Sequence, residues 1–243
     1  MAQLTNRQIN ILKSVVEEFI DTAEPVGSST VEKKYSLDVS PATIRTEMSK
    51  LTQLGYLKKP HPSAGRMPTS MGLKYYVRNL MAPEKLSVAQ EVGVKEKIWD
   101  YRHDFEKFLE EATRELSRRT QALALATTQE GEFATHGMAN LLDYKEFFDI
   151  DVTKTVLTLI DKDDYWVKIV KRTFSNEMEQ PFYLLIGEEL EREFLEPCGF
   201  VYQTYEAAPH RGMIGVIGPA RLPYSHVIPL VDYVANLLSE YGR

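Results

Sequence analysis

Arg45 is the side chain whose setting offers the clearest chemistry. It stands in Ser40-Pro41-Ala42-Thr43-Ile44-Arg45-Thr46-Glu47-Met48-Ser49-Lys50. At helical spacing Ile44, Met48 and Leu51 form an apolar stripe. Ala42, Thr46, Ser49 and Gln53 point the opposite way, flanked by Thr43, Arg45 and Lys50. Small polar residues let a helix sit deep in a DNA major groove. There Arg45 can bond guanine bidentately or clamp a phosphate, and Ala42 can touch a thymine methyl. A second set of groups follows: Lys58 and Lys59, then Pro60-His61-Pro62-Ser63-Ala64-Gly65-Arg66-Met67-Pro68. A stiff, narrow, cationic loop of this kind can lie along phosphates, with His61 and Ser63 as donors.

The elements that must hold these groups read as follows. Leu4 to Ile20 is an amphipathic helix, with Thr5 and Gln8 as a capping box and Leu4 with Ile9 as a hydrophobic staple. Ser29 and Glu32 fit a second capping box, opening a short helix that ends near Tyr35. Residues 36–39 form a tight connection. Ser40 caps a third helix with Pro41 at its first position, and Gly55 ends it. Tyr56 to Lys59 reads as a short strand, and Thr69 or Ser70 caps a helix from Met71 to Met81 that carries Lys74. Ser28, Ser29 and Thr30, at a helix start, can hold a phosphate through free N–H groups. A single helix of this kind, taken alone, is more often merely a solvated face. Three short capped helices followed by a basic loop reverse that weighting.

Charge separates this segment from the rest. Residues 1–81 hold 11 Lys/Arg and 7 Asp/Glu, whereas residues 82–243 hold 18 and 28, so a basic segment precedes an acidic body within a chain of net charge −6. Hydrophobic content of 43% supports a packed core. The single Cys198 leaves no internal disulfide framework, and no signal peptide or roughly 18-residue apolar span is present, so a cytoplasmic location without membrane contact is expected.

The tracts EPVGSSTV, VSPATIR and HPSAGRMPTSMGLKYYV, set within residues 4–80, resemble the N-terminal domain of the bacterial heat-inducible transcription repressor family, HrcA. The resemblance implies a winged helix-turn-helix in a homodimeric repressor. It would bind double-stranded DNA at an inverted-repeat operator ahead of chaperone genes, with the chaperonin GroEL as a partner that keeps it active. GVIGPARLPY near the C-terminus resembles a second signature of the family. Family members are considerably longer in the middle, carrying a GAF-like domain and an inserted segment linked to dimerisation. Here ALALATTQE passes almost straight to GMANLLDYKEFFD, so the middle is shortened.

Residues 82–93 read as a linker and Lys95 to Ala124 as one long helix. Its seam of Ile98, Tyr101, Phe105, Phe108, Ala112 and Leu116 can pack on the chain itself or on a second copy. Leu123 to Gln129 reads as a strand and Gln129 to His136 as a loop. Asp151 to Phe174 fits either helices or strands, and the resemblance favours two helices; Trp166 reads as a core or interface anchor rather than a ligand platform. Phe182–Ile186, Phe200–Tyr205 and Met213–Ile217 read as strands, and a last helix starts at Ser225 with Pro229 in its first turn. Arg221 fits a structural ion pair best.

No nucleophile elbow, Walker or dinucleotide motif occurs. His61, His103, His136, His210 and His226 make no metal-ligand spacing with Cys198 or with one another. An enzyme, a metal and a cofactor are therefore not expected. The expected fold is α+β: a winged helix-turn-helix domain (1–81), a linker and long connecting helix (82–126), and a reduced GAF-like α+β domain with a small antiparallel sheet (127–243). The expected function is repression of heat-shock genes as a dimer. The DNA contacts are Ser28, Ser29, Thr30, Ser40, Ala42, Thr43, Arg45, Thr46, Ser49, Lys50, Lys58, Lys59, His61, Ser63, Arg66 and Lys74. Two other readings stand beside it: a ligand-sensing regulator of other genes, and an interaction module that has lost operator specificity.

Overall fold

The computed structural model describes residues 4–35, 39–175 and 180–241. The fold is α+β, and the chain divides into two compact units, Met1–Ala82 and Pro83–Arg243. Of the tight connection expected at 36–39, residues 36–38 lie outside the described residues.

The first unit runs α1 (Asn6–Thr22), α2 (Ser28–Tyr35), α3 (Pro41–Gln53), β1 (Leu57–Lys58), β2 (Met67–Pro68) and α4 (Ser70–Asn79). The capping box at Thr5 and Gln8 is formed in both directions. The box expected at Ser29 is not the start of α2: the helix begins at Ser28, and the Gly27 carbonyl accepts from Thr30 and Val31 N–H at 3.1 and 3.2 Å. Ile11, Leu12, Val15, Val16, Val31, Ile44, Leu51 and Leu57 fill this unit's core. α4 starts at its Thr69 cap. It packs close to Tyr56, and a Cβ on Gly72 would stand 2.1 Å from the Tyr56 carbonyl oxygen.

The second unit carries a five-stranded antiparallel sheet ordered β4-β3-β7-β6-β5, built from β3 (Leu123–Thr128), β4 (Phe133–His136), β5 (Tyr183–Ile186), β6 (Cys198–Ala207) and β7 (His210–Pro219). The loop expected over 129–136 is therefore half strand: Phe133–His136 pairs with Ala124–Thr127. One face of the sheet (Leu123, Leu125, Phe200, Tyr202, Met213, Ile217) packs with α7 (Ile150–Ile160) and α8 (Asp163–Phe174). The two-helix reading of Asp151–Phe174 thus holds. Trp166 is buried at its centre and donates from Nε1 to the Leu159 carbonyl at 2.8 Å. The other face lies against α6 (Phe105–Thr120) and α9 (Tyr224–Ser239). Among the described residues no helix is long and apolar enough to cross a membrane.

The single long helix expected from Lys95 is two helices. α5 (Val88–Trp99) starts from a Ser87–Gln90 capping box inside the expected linker, and α6 restarts at its Asp104 cap. The apolar seam of α6 is spent within the chain, for Phe108, Ala112 and Leu116 are buried. Glu115 is buried beside them. Burial raises its pKa, but hydrogen bonds and charge from Arg118 and Arg119, at 2.7 and 2.6 Å, outweigh that and hold it below 4.5. A depressed carboxyl stabilises the fold above its unfolded pKa and loses that contribution as pH falls through its folded pKa. Glu115→Gln is therefore expected to melt lower than the wild type at pH 7. The gap should close as the pH is taken well below 4.5, and melting curves across pH 3–7 measure it.

Pro229 is the sixth residue of α9, which begins at Tyr224, so it lies beyond the first turn where it was expected. An interior proline leaves the carbonyl four residues back without its helical partner. Here that carbonyl, on Ser225, accepts the Glu84 N–H at 2.9 Å. The Glu84 carboxylate in turn meets Ser225 Oγ at 3.2 Å and His226 Nδ1 at 3.1 Å. Arg221 makes a bidentate ion pair with Glu146, at 2.7 and 3.1 Å. Cys198 is buried and burial pushes its thiol up to about 12, so it is unreactive at neutral pH.

Candidate nucleic-acid interface

The local chemistry of α3 begins at its cap. The Ser40 hydroxyl accepts from Thr43 N–H at 3.3 Å and meets Thr43 Oγ1 at 3.1 Å, while Pro41 occupies the first turn. Ser40 and Thr43 thus fix where the helix starts. On the inner face Ile44, Met48 and Leu51 are buried, and so is Glu47. Lys50 Nζ donates to Glu47 at 2.8 Å and Gln8 Nε2 donates to it at 3.0 Å. The Lys50 hydrogen bond, aided by Gln8 and against burial, lowers the Glu47 pKa. The Glu47 charge is thereby offset, and Lys50 is engaged on its own helix.

Ala42, Arg45 and Thr46 are exposed and Ser49 is half-buried. Thr46 Oγ1 donates to the Ala42 carbonyl and Ser49 Oγ to the Arg45 carbonyl, each at 3.0 Å. Their protons are engaged by the helix, so both hydroxyls offer outward only lone pairs. Among the described residues, no hydrogen bond or ion pair engages the Arg45 guanidinium.

The loop between β1 and β2 is fastened at its end and open at its tip. Val26 and Arg66 exchange two backbone hydrogen bonds, 2.8 and 2.9 Å, which tie the loop to the segment before α2. Gly65 is required there: a Cβ would stand 2.4 Å from the Val26 carbonyl oxygen. The Arg66 side chain folds back onto α3, with Nε donating to Thr52 Oγ1 at 3.0 Å and Nη2 reaching Ser49 Oγ at 3.5 Å. Its guanidinium braces the loop against the helix. Lys59 to Ser63 are exposed, and Lys59 Nζ donates to the Pro62 carbonyl.

These elements enclose a concavity of about 410 Å³. Of the residues expected from the sequence, it brings together Ser28, Ser29, Arg45, Ser49, Lys59, Ser63 and Arg66, and no carboxylate among the described residues lines it. The Ser28 side chain is buried and Ser29 is exposed, so at Ser28 the first-turn backbone N–H is the group on offer. Thr30, Ser40, Ala42, Thr43, Thr46, Lys50, Lys58 and His61 lie outside the lining. Lys74 is half-buried on α4, also outside it. Sequence reasoning missed Gly65, Val26 and Thr52 as the parts that position the loop. The contact of Gly65 with Val26 spans two distant segments and leaves no local pattern.

Comparison with known proteins follows this geometry. Residues 76–228 match the family model described as the HrcA protein C terminal domain. The chain is 27% identical to the heat-inducible transcription repressor HrcA of Desulforamulus reducens over 339 aligned positions, covering 98% of this chain and 97% of that one. It is 26% identical to the same-named protein of Moorella thermoacetica over 340 positions, covering 98% of each. Both alignments run far beyond the 243 residues present here, so stretches of the relatives have no counterpart in this chain. A crystal structure of a hypothetical protein shares the fold with a TM-score of 0.76, over 98% of both chains at 19% identity.

Proposed function

The chain belongs to the HrcA family, and we propose that it is a DNA-binding transcription repressor, not an enzyme, whose first unit is a winged helix-turn-helix. The observation that carries this reading is the concavity in which the guanidinium of Arg45 faces the N-terminus of α2 and a cationic loop, with no acid among the described residues of the lining. α3 enters the major groove. Arg45 bonds guanine O6 and N7, and the lone pairs of Thr46 and Ser49 accept from adenine or cytosine amino groups. The first-turn N–H groups of Ser28 and Ser29 hold a backbone phosphate beside Thr30, whose own N–H is given to the Gly27 carbonyl. Lys58, Lys59, His61 and Ser63 follow the flanking backbone as a wing, and Lys74 adds a further phosphate contact. Ser40, Thr43, Lys50 and Arg66 serve mainly by setting the positions of α3 and the loop.

Family membership supports the wider reading. The operator is an inverted repeat ahead of heat-shock genes, read by a homodimer whose half-sites lie about 34–36 Å apart or a multiple of it. Heat weakens the binding-competent state and chaperonin GroEL restores it. The second unit is a reduced GAF-like effector and dimerisation domain. With the α6 seam spent internally, a second copy meets another surface, and Leu142, Phe148 and Ile150 are exposed apolar side chains available to it. A gel shift at fixed salt on an inverted repeat and on a scrambled duplex, with light scattering on the same sample, tests the proposal. Two chains per repeat and strong discrimination are expected. Equal binding to both duplexes would leave only a nonspecific interaction module.

One observation favours a second reading, a ligand-sensing regulator. A cleft of about 670 Å³ in the second unit is lined by Lys162, Lys168, Arg172 and Arg192 together with Asp161, Asp164, Glu189 and Glu191. Thermal shifts with small polar metabolites, and no release from DNA on heating, would favour it.

A further inference from the structure

Two hairpin ends of the second unit place Glu130, Glu132 and His210 together, with one ligand atom of each inside a 4.8 Å group. Glu132 follows the turn between β3 and β4, and His210 opens β7 after the turn from β6. His210 Nδ1 already stands 3.6 Å from Glu132 Oε1. A tetrahedral ion with bonds of about 2.0–2.1 Å keeps its ligand atoms roughly 3.3 Å apart, so a rotation of the exposed Glu130 closes the set. The ligands are held in place. The His210 ring stacks on Phe105 at 3.9 Å, nearly parallel, and the Thr128 hydroxyl donates to Glu132 Oε2. Neither glutamate pairs with a lysine or arginine among the described residues. The adjacent Arg211 alternates to the opposite sheet face and pairs with Glu206 at 3.1 Å.

A second observation concerns Tyr205. Its hydroxyl is buried and has no hydrogen-bond partner among the described residues. In register Tyr205 lies opposite Gly212, which lies opposite Thr128, so the three share one row on the face that carries His210. The ring crosses Gly212, where a Cβ would meet its hydroxyl oxygen at 2.4 Å. The hydroxyl thus aims along the row toward Thr128 and Glu132. Burial, then the charges of Glu132 and Glu130, raise its pKa, as their proximity requires.

We propose that Glu130, Glu132 and His210 bind a divalent first-row transition metal ion, clamping the two hairpin ends together. One imidazole with two carboxylates suits Zn²⁺ or its neighbours rather than Mg²⁺ or Ca²⁺, which take oxygen ligands. Three protein ligands leave an open fourth position, and a water held there would accept the otherwise orphaned Tyr205 hydroxyl. The site lies outside the DNA-binding unit, and binding only to the folded state raises stability.

Calorimetric titration of the full chain with ZnCl₂ at pH 7.5 is expected to show one saturable site per chain and a rise of a few degrees in melting temperature. Glu130→Gln, Glu132→Gln and His210→Ala are each expected to weaken it at least tenfold, while His226→Ala titrates like the wild type. Glu130 is exposed, so its variant retains the fold, which circular dichroism checks. No saturable site, or an unchanged titration of Glu130→Gln, would overturn the proposal and leave a Glu132–His210 ion pair only.

Discussion

Arg45→Ala is expected, on the proposed repressor function, to reduce affinity for an inverted-repeat operator by about 1–3 kcal/mol, roughly 5- to 150-fold, and to relax discrimination at one base position. The reason lies in what α3 leaves free. Lys50 is engaged by Glu47 and Arg66 by Thr52 and Ser49, while Arg45 is exposed and unengaged. Of the three nearby cations it alone can give all its donors to a base edge without breaking a contact that holds the unit together. Lys74→Ala should behave differently, weakening every duplex by a similar factor and lowering the salt slope by about one. Competition gel shifts with selected and scrambled duplexes, at one fixed salt concentration and then across a salt series, separate the two. Unchanged discrimination in Arg45→Ala would remove α3 from the recognition role.

Local chemistry made much of this site legible from the residues. A cap such as Ser40 with Pro41, or Thr5 with Gln8, is decided within one helical turn, and the apolar stripe of α3 repeats at helical spacing. Where such signals were short or in competition the reading failed. Ser29-x-x-Glu32 has the form of a capping box, but Gly27 caps α2 through its carbonyl, and the cap lies two residues earlier. Ser87 and Gln90 formed a real box inside a segment whose valines and charges show no strong periodicity. The seam from Ile98 to Leu116 ran through residues 100–104, where the chain turns and Asp104 caps a new helix. Phe133–His136 is too short to show alternation, and it becomes a strand because β3 offers it an edge.

Long-range partnerships were the other limit. Nothing in the spacing of Glu130, Glu132 and His210 marks them as neighbours, because strand order β4-β3-β7-β6-β5 alone brings the two hairpin ends together. The same holds for Glu84. Its N–H fills the place left by Pro229, and the two are joined only through the fold. The roles of the basic residues were also divided by their partners, Lys50 by Glu47 on its own helix and Arg66 by contacts across the fold. Sequence places Arg45, Lys50 and Arg66 in one class of cation, whereas their partners make one of them free and two of them braces.

Gly65→Val should unfasten the loop and lower affinity for all DNA, with a loss of about 2–4 kcal/mol in the stability of the N-terminal unit. A Cβ at this position would lie 2.4 Å from the Val26 carbonyl oxygen and 2.5 Å from its carbon, and backbone atoms cannot turn aside as a side chain can. The loop must withdraw, and with it go the two Val26–Arg66 backbone hydrogen bonds at 2.8 and 2.9 Å, each worth about 1 kcal/mol, before any strain is counted. Arg66 would then be carried off Thr52 and Ser49, and Lys59 and Ser63 would leave the concavity they share with Arg45. Discrimination between duplexes should change little, since α3 keeps its face. Gly27→Ala, on the same segment, supplies the control: its Cβ would meet only Ser29 Oγ and Thr30 Oγ1 at 3.8 Å, an ordinary contact. Melting curves and DNA titrations of the two variants side by side decide the point. If Gly65→Val behaved like Gly27→Ala in both, the loop would not be held by Val26, and the concavity would not depend on that tie.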